Sequence, residues 1–441
     1  MDREQPDGGR RGLIRQMRPS RTTPPPPVRA SHVGLGAFFR AHQAWYTQKA
    51  NEAGGDPTGI AAFTGRRPDA ADVLSAQDCV YHILIRGPES DQVERVDCLA
   101  RAYSSEDTEA WKRCWSDPAV GYVTLTVTEA GYFRSDAVVA RLVDGLRARQ
   151  AAGAGPIAIV PCDNLVDNGR TVRRLVREAA ERLAPESIGW IDDNVSFVST
   201  MVDRITPATT DEDRATVREL SGLDDASPVV TEPFTEWVLA GDFPAGRPEW
   251  DAVGARFVSD VQPFEQRKLW LLNGSHSLLA YAGPTRGHRT VAEAIADPVC
   301  RAWVEQWWDE AGRHLPLSAT ELAEYRKALL ERYANPRIRH ELRQIAMDGS
   351  EKLPIRILPV LARERANGLL PIGAITALAG WLAHLRAGTD VRDPRGEELK
   401  AAVGQGVNAD VRHLLQALNS PLADDAEVIQ AVADRYRELT G

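Results

Sequence analysis

Cysteine is scarce in this chain, five in 441 residues, and the five stand far apart. Cys79, Cys98, Cys114, Cys162 and Cys300 form no Cys-x-x-Cys pair and no zinc-ligand spacing, so they read as reduced core thiols and no metal is expected. Tyr-x-x-x-Lys, His-Glu-x-x-His, Gly-x-x-x-x-Gly-Lys and Gly-x-Ser-x-Gly are all missing. Their absence sets aside short-chain reductase, metalloprotease, phosphate-loop and serine-hydrolase chemistry. No apolar run reaches the roughly 20 residues of a membrane span, and no signal-like segment leads the chain, so a cytoplasmic protein without membrane partners is expected. A net charge of -9 argues against general nucleic-acid binding.

What is present suits a two-domain enzyme. The length exceeds what one hydrophobic core usually holds, and 43% hydrophobic content is ordinary for a globular protein. Residues 1–27 form a basic tail rich in Arg, Gly and Pro that ends in Pro24 to Pro27, and disordered or extended chain is expected there. Residues 28–261 alternate strand-like and helical runs. Gly59 to Thr64, Val80 to Arg86, Tyr122 to Val127 and Ile157 to Val160 read as strands, the second of them as a strand or hairpin arm, and Asp136 to Arg149 as a helix. Residues 262–441 turn helical, with capping boxes at Thr290-x-x-Glu293 and Ser318-x-x-Glu321 and amphipathic stretches at 368–386, 395–418 and 424–439. The fold expected is an α/β Rossmann-type dinucleotide-binding domain followed by a mostly α-helical C-terminal domain.

Two segments carry chemistry. After the first strand, His32-Val33 runs into Gly34-Leu-Gly36-Ala-Phe38-Phe-Arg40, a glycine turn that lets backbone N–H groups and a helix N-terminus approach a pyrophosphate. Phe39 stands where the fingerprint has its third glycine, so an ordinary tight turn is the competing reading. At the domain junction lies Lys268-Leu-Trp-Leu-Leu-Asn273-Gly-Ser-His276, in an otherwise apolar setting. On a helix, Glu265, Lys268, Asn273 and His276 share an arc of roughly 140°, and burial would lower the lysine's proton affinity into a useful range. The helix is expected to start near Lys268. A core helix with one snorkelling lysine is the competing reading. Cys162, Asp163 and Asn164 end a buried strand, where a parallel sheet delivers residues to a ligand crevice.

Together these segments resemble the polyol-specific long-chain dehydrogenases, the family of mannitol 2-dehydrogenase and fructuronate (mannonate) reductase. The resemblance rests on His32 to His42, Thr124 to Glu129, Pro161 to Gly169, Met201 to Pro207, Ala245 to Trp250 and Lys268 to His276, and extends over most of the chain. It implies Lys268 as acid/base, Asn273 and Asn168 as the oxyanion pair, and His276 as a substrate-orienting donor. Asn164 is the alternative to Asn168. Glu265 is read as a proton relay, or else as a solvated carboxylate. The resemblance also implies zinc-independent hydride transfer between NAD(P) and a secondary alcohol or ketone.

Cofactor contacts are expected from Gly34, Gly36, Phe38, Arg40, Arg66, Thr128, Glu129 and Asn164. NAD is the cofactor expected; Arg66 and Arg67, with no carboxylate before Asp69, keep NADP as the alternative. Mannitol-type relatives carry an acidic pair after Glu-Pro-Phe-x-x-Trp-Val, where this chain has Ala240-Gly241. Cations between Asn335 and Arg356 suit a sugar-acid carboxylate, with Lys352 favoured and Arg356 beside it. Asn168, Asn273, His276, Lys352 and Arg356 are thus the substrate residues expected. Fructuronate/mannonate is preferred over mannitol or arabinitol as the substrate pair. A non-catalytic NAD(H) or sugar sensor is the reading of another class. A monomer or weak homo-oligomer acting on a small molecule is expected.

Overall fold

The structure, a computed structural model, describes residues 17–65, 68–133, 136–338, 340–388 and 391–441. Its strands are β1 (Val28–Val33), β2 (Gly59–Phe63), β3 (Tyr81–Arg86), β4 (Asp91–Val96), β5 (Leu99–Tyr103), β6 (Tyr122–Leu125), β7 (Ile157–Pro161), β8 (Val195–Phe197), β9 (Ser199–Asp203), β10 (Val229–Thr231), β11 (Glu236–Ala240) and β12 (Arg256–Phe257). Short apolar runs such as Ile157–Val160 are buried on both faces, which suits them to a parallel sheet covered by helices. Six strands form such a sheet in the order β5-β2-β1-β6-β7-β8, with every neighbour parallel and the edge strands β5 and β8 only partly buried.

The chain leaves β1 for β2 on one side and reaches β6 on the other. The order therefore reverses between β1 and β6, and a crevice opens beyond their carboxyl ends. The insertions form two further sheets. The segment from Val80 is a hairpin, β3 antiparallel to β4, extended by β10. The other joins β9, β11 and β12, and carries the end of β9 towards the helical half.

From Gln262 onward, the only β pairing among the described residues is an isolated bridge between Thr290 and Glu341. Both expected capping boxes form, at Thr290/Glu293 and Ser318/Glu321. The stretch 395–418 divides into two helices, Gly396–Ala401 and Val407–Ala417. Of the tail, residues 1–16 lie outside the described residues, and residues 17–27 form neither helix nor strand. Arg21 donates to the carbonyls of Asp78 (2.9 Å) and Leu99 (2.5 Å), and the Met17 carbonyl accepts from the Asp224 N–H. No described helix is long and apolar enough to cross a membrane.

Candidate active site

The glycine turn after β1 is pinned from below. Gly34 has φ +106°, and a β-carbon there would lie 2.4 Å from the Thr126 carbonyl oxygen, so only glycine fits. Buried His32 stacks on Phe39 with ring centroids 3.5 Å apart, and burial lowers its pKa to about 3, leaving it neutral. Its Nδ1 lies 2.8 Å from the Thr124 hydroxyl and its Nε2 3.1 Å from the Gly34 carbonyl. Gly36 is exposed and caps the short helix Ala37–Ala41. The N–H groups of Gly34 and Leu35 donate to the Phe63 carbonyl and that of Gly36 to the Gly34 carbonyl, so a dinucleotide pyrophosphate would meet the start of the helix at Ala37 rather than the turn's own N–H groups.

Of the expected cofactor residues, Phe38, Thr128 and Asn164 line one cleft of about 1180 Å³. Arg40 does not join them. Its guanidinium donates to the carbonyl (2.6 Å) and hydroxyl (2.9 Å) of Ser227 and packs over the Tyr81 ring, so it braces the insertion instead of meeting a ligand. Arg66 lies outside the described residues, as does the side chain of Glu129, which opens the short helix Glu129–Phe133.

The Lys268 motif lies inside a helix, not at its start. An α-helix over Gln262–Arg267 continues as a π-helical segment, Lys268–Gly274, and returns to α-helix over Ser275–Ala282. In an α-helix five residues leave about 140° between side chains, whereas an i→i+5 repeat returns them to one face. Lys268 and Asn273 are five apart and both line the cleft. The widened turn is held from outside. Trp307 and Trp308 donate to the carbonyls of Trp270 (2.7 Å) and Leu271 (2.9 Å), and the Tyr333 hydroxyl donates to Leu272 (3.0 Å). A β-carbon at Gly274 would lie 2.7 Å from the Trp307 ring, so glycine is what admits this packing.

Lys268 Nζ donates to the Val202 carbonyl at 2.6 Å and to Asn164 Oδ1 at 2.7 Å. Burial pushes its pKa down, with the like charges of Arg332 and Arg356 in the same direction, against the pull of Asp203 and Glu236. With Asn164 Oδ1 engaged by the ammonium, the amide N–H₂ remains as a donor towards the cleft. Asn168 is turned away. Its Nδ2 donates to the Thr200 carbonyl (2.9 Å) and its Oδ1 accepts from the Thr200 N–H (2.9 Å), so the fully buried amide is spent on β9. Of the two amides expected as alternatives, Asn164 lines the cleft and Asn168 does not. Asp167, at φ +49°, begins the helix that swings Asn168 inward.

Glu265 lines the same cleft, and burial raises its pKa to about 7. Its Oε1 accepts from the Asp167 N–H at 3.1 Å. His276 is buried with Nε2 lacking any partner, and its ring packs against those of Tyr333 and His340. Burial, with His340, Arg332 and Arg356 nearby, holds its pKa well below the usual range, so it is neutral.

Of the cations expected between Asn335 and Arg356, Arg339 lies outside the described residues, and Arg337 and Arg343 lie away from the cleft. Arg337 pairs with Asp91 at 2.6 Å, and Arg343 is exposed near Glu341. Lys352 lines the cleft but donates to the carbonyls of Met347 (2.5 Å) and Ile345 (3.3 Å). Arg356 also lines it, touching the Ser277 hydroxyl (3.2 Å) and the Asn273 carbonyl (3.5 Å), while its buried Nε has no partner. Burial lowers its pKa to about 10, leaving it charged. Ala240 and Gly241 lie outside this cleft. Gly241 borders a separate one with Asp242.

Asp163, expected only as part of the strand end that meets the crevice, lines the cleft and accepts from the Tyr132 hydroxyl at 2.8 Å. Asp203, which ends β9, and Arg204, which follows it, line the cleft too and had no role expected from the sequence. Away from the cleft, His288, Asp297 and Cys300 come within 4.8 Å of one another, with Arg286 paired to Asp297 at 2.5 Å.

A nucleotide crevice that ends at a desolvated lysine flanked by two amides defines a Rossmann-type oxidoreductase acting on an alcohol or ketone. Residues 28–252 match the mannitol dehydrogenase Rossmann domain and residues 260–440 the mannitol dehydrogenase C-terminal domain. The chain belongs to the mannitol dehydrogenase family, oxidoreductases of polyols and sugar acids. It is 34% identical over 451 residues to the D-mannonate oxidoreductase of Escherichia coli (strain K12), spanning 93% of each chain. It is 35% identical over 382 residues to the D-arabinitol 4-dehydrogenase of Ralstonia nicotianae, covering 80% of this chain and 82% of that one. The solved ternary complex of Pseudomonas fluorescens mannitol 2-dehydrogenase with NAD and D-mannitol superposes with a TM-score of 0.78 at 30% identity, covering 96% of this chain and 92% of that one.

Proposed function

We propose that this enzyme interconverts a keto sugar acid and its alcohol, fructuronate and mannonate in the preferred case, with NAD as partner. Arg356 carries the choice of an acid. It is a half-buried guanidinium facing the cleft, its buried Nε lacks a partner, and the charged or ionisable groups acting on it are Tyr281 and Tyr333, not a carboxylate. Leaving such a cation unpaired is costly, and a ligand carboxylate would satisfy it in the bidentate manner guanidinium favours. The D-mannonate oxidoreductase relative agrees with that class of substrate.

The helix start at Ala37, after the turn at Gly34 and Gly36, with Phe38 and Thr128, would hold the dinucleotide, and a bound nicotinamide accepts or returns the hydride. In the oxidation direction neutral Lys268 takes the hydroxyl proton. Asn164 and Asn273 donate to the oxygen as charge develops on it, each contributing about 2.7–4 kcal/mol to lowering the barrier. His276 offers a neutral ring N–H to a neighbouring substrate oxygen, and Glu265, ready to exchange a proton near pH 7, passes the lysine's proton towards solvent.

The test is nicotinamide absorbance with NADH or NADPH and a panel of fructuronate, tagaturonate, fructose and xylulose. The highest kcat/KM is expected for fructuronate with NADH. Faster turnover of fructose or xylulose would replace the acid reading with a hexitol or pentitol one, and faster NADPH oxidation would overturn NAD. Tight cofactor binding with no turnover of any ketone would favour the sensor.

A further inference from the structure

Behind the lysine, one guanidinium holds two carboxylates from separate parts of the chain. Arg332, on the helix Ala319–Tyr333, donates to Asp203 Oδ1 (2.9 Å) and Oδ2 (2.7 Å) on one side. On the other it donates to Glu232 Oε1 (2.8 Å) and Oε2 (2.9 Å). All three side chains are buried, and the guanidinium lies over the Phe234 ring with 4.2 Å to its centroid. Asp203 is the last residue of β9 and directly follows Val202, whose carbonyl accepts from Lys268. Glu232 Oε1 also accepts from the Ile205 N–H at 2.7 Å, so the knot grips the chain on both sides of Arg204.

Charge is nearly balanced there. Asp203 and Glu232 are offset by Arg332 and by Arg204, which donates to the Glu232 carbonyl. Glu236 is matched by Arg267 at 2.5 Å. The groups that face Lys268 are thus Asp203, Arg332, Glu236 and Arg356, with Glu265 on its own helix and His42, a buried neutral imidazole, behind. Removing Arg332 would leave two carboxylates uncompensated beside an ammonium.

We propose that Arg332 is a positioning residue for the reaction, fixing the acceptor that Lys268 meets and neutralising the carboxylates that would otherwise hold the lysine in its charged form. The inference rests on Lys268 being the base. A purely structural clamp would cost stability when removed but would leave the lysine's titration where it was.

Two readouts decide it. One is the ascending limb of kcat/KM for alcohol oxidation against pH. The other, in protein without ligands, is the rate of Lys268 acetylation by acetic anhydride against pH, followed by peptide mass spectrometry. Arg332→Gln should move both midpoints up by about one pH unit or more, and Asp203→Asn should move them down. Arg332→Lys, which restores the charge without the fork, should return them towards the parent value. Unmoved midpoints in a folded Arg332→Gln protein would overturn the proposal. If that variant does not fold, Asp203→Asn decides, with a lowered midpoint supporting and an unchanged one overturning. A parent enzyme that turns over with no ascending limb would instead sink the lysine-base reading itself.

Discussion

The two ends of the cleft are built on opposite terms. At the lysine end the charges are paired, with Lys268 on Val202 and Asn164, Asp203 on Arg332, and Glu236 on Arg267, although Arg267 Nε and His42 Nδ1 are buried without partners. At the other end Arg356 Nε and His276 Nε2 are buried and unpartnered, and Asn273 has only its backbone carbonyl engaged. Saturated groups hold a geometry that must exist before the substrate arrives. Unsaturated ones that face the cleft carry a desolvation penalty that a bound molecule would relieve, which is why the proposed substrate contacts are placed there.

The sharpest break of that contrast is at the saturated end. Lys268→Ala should lower kcat by about 10²–10⁴-fold, the usual reach of a general base, while NADH fluorescence titration shows cofactor affinity retained. Next comes the pair of asparagines. Asn273→Ala should lower kcat by about 10²–10³-fold with an unchanged Tm. Asn168→Ala should lower Tm, because two buried Thr200 backbone groups lose their partner at about 1–3 kcal/mol each. Equal kinetic losses without a change in Tm would return Asn168 to the cleft.

At the unsaturated end, Arg356→Met should lower kcat/KM for a sugar acid by about 10–100-fold, as expected for losing a charge-assisted contact. Turnover of a neutral ketose should hold, and Tm should hold or rise because an unpaired buried cation is gone. An equal loss on acid and neutral substrates would remove the carboxylate role.

The smallest effect concerns Glu265. Its carboxyl keeps a proton to about pH 7 in the folded chain against 4.5 for an ordinary glutamate, so the native state binds more protons between those values. Stability from this group is therefore present below about pH 4.5 and is lost as pH rises through about 7, with a slope of at most about 1.4 kcal/mol per pH unit. Glu265→Gln should flatten that part of the curve in denaturant titrations. An unchanged slope would show that the side chain is hydrated in solution.

The parallel sheet was legible because β2, β6 and β7 are short, largely apolar runs between turns and helices, and burial on both faces leaves that trace in composition. The separate sheets around β3 and β9 were not, since partners such as Val229 and Ile83 are joined only by tertiary register. The site was legible as a set of residues but not as a geometry. Spacing offered Asn164 and Asn168 equally, and a left-handed residue at Asp167 decided between them. Arg40 looked like a ligand contact because its Ser227 partner lies 187 residues away. Arg332 was invisible for the same reason, having its two carboxylates 129 and 100 residues distant.

The π-helical turn after Lys268 works as a phase setting for the whole reactive face. Deleting one residue between Lys268 and Asn273 would leave the two four apart on one face of an ordinary α-helix, but winding the present residues as an α-helix would rotate everything downstream by about 100° relative to the lysine. Asn273 and His276 would leave the cleft together, and the indoles of Trp307 and Trp308 would lose the carbonyls that now receive them. A helix less regular than its neighbours is thus what keeps base, amide and imidazole in step, and the two tryptophans are the pawl that stops it from slipping back.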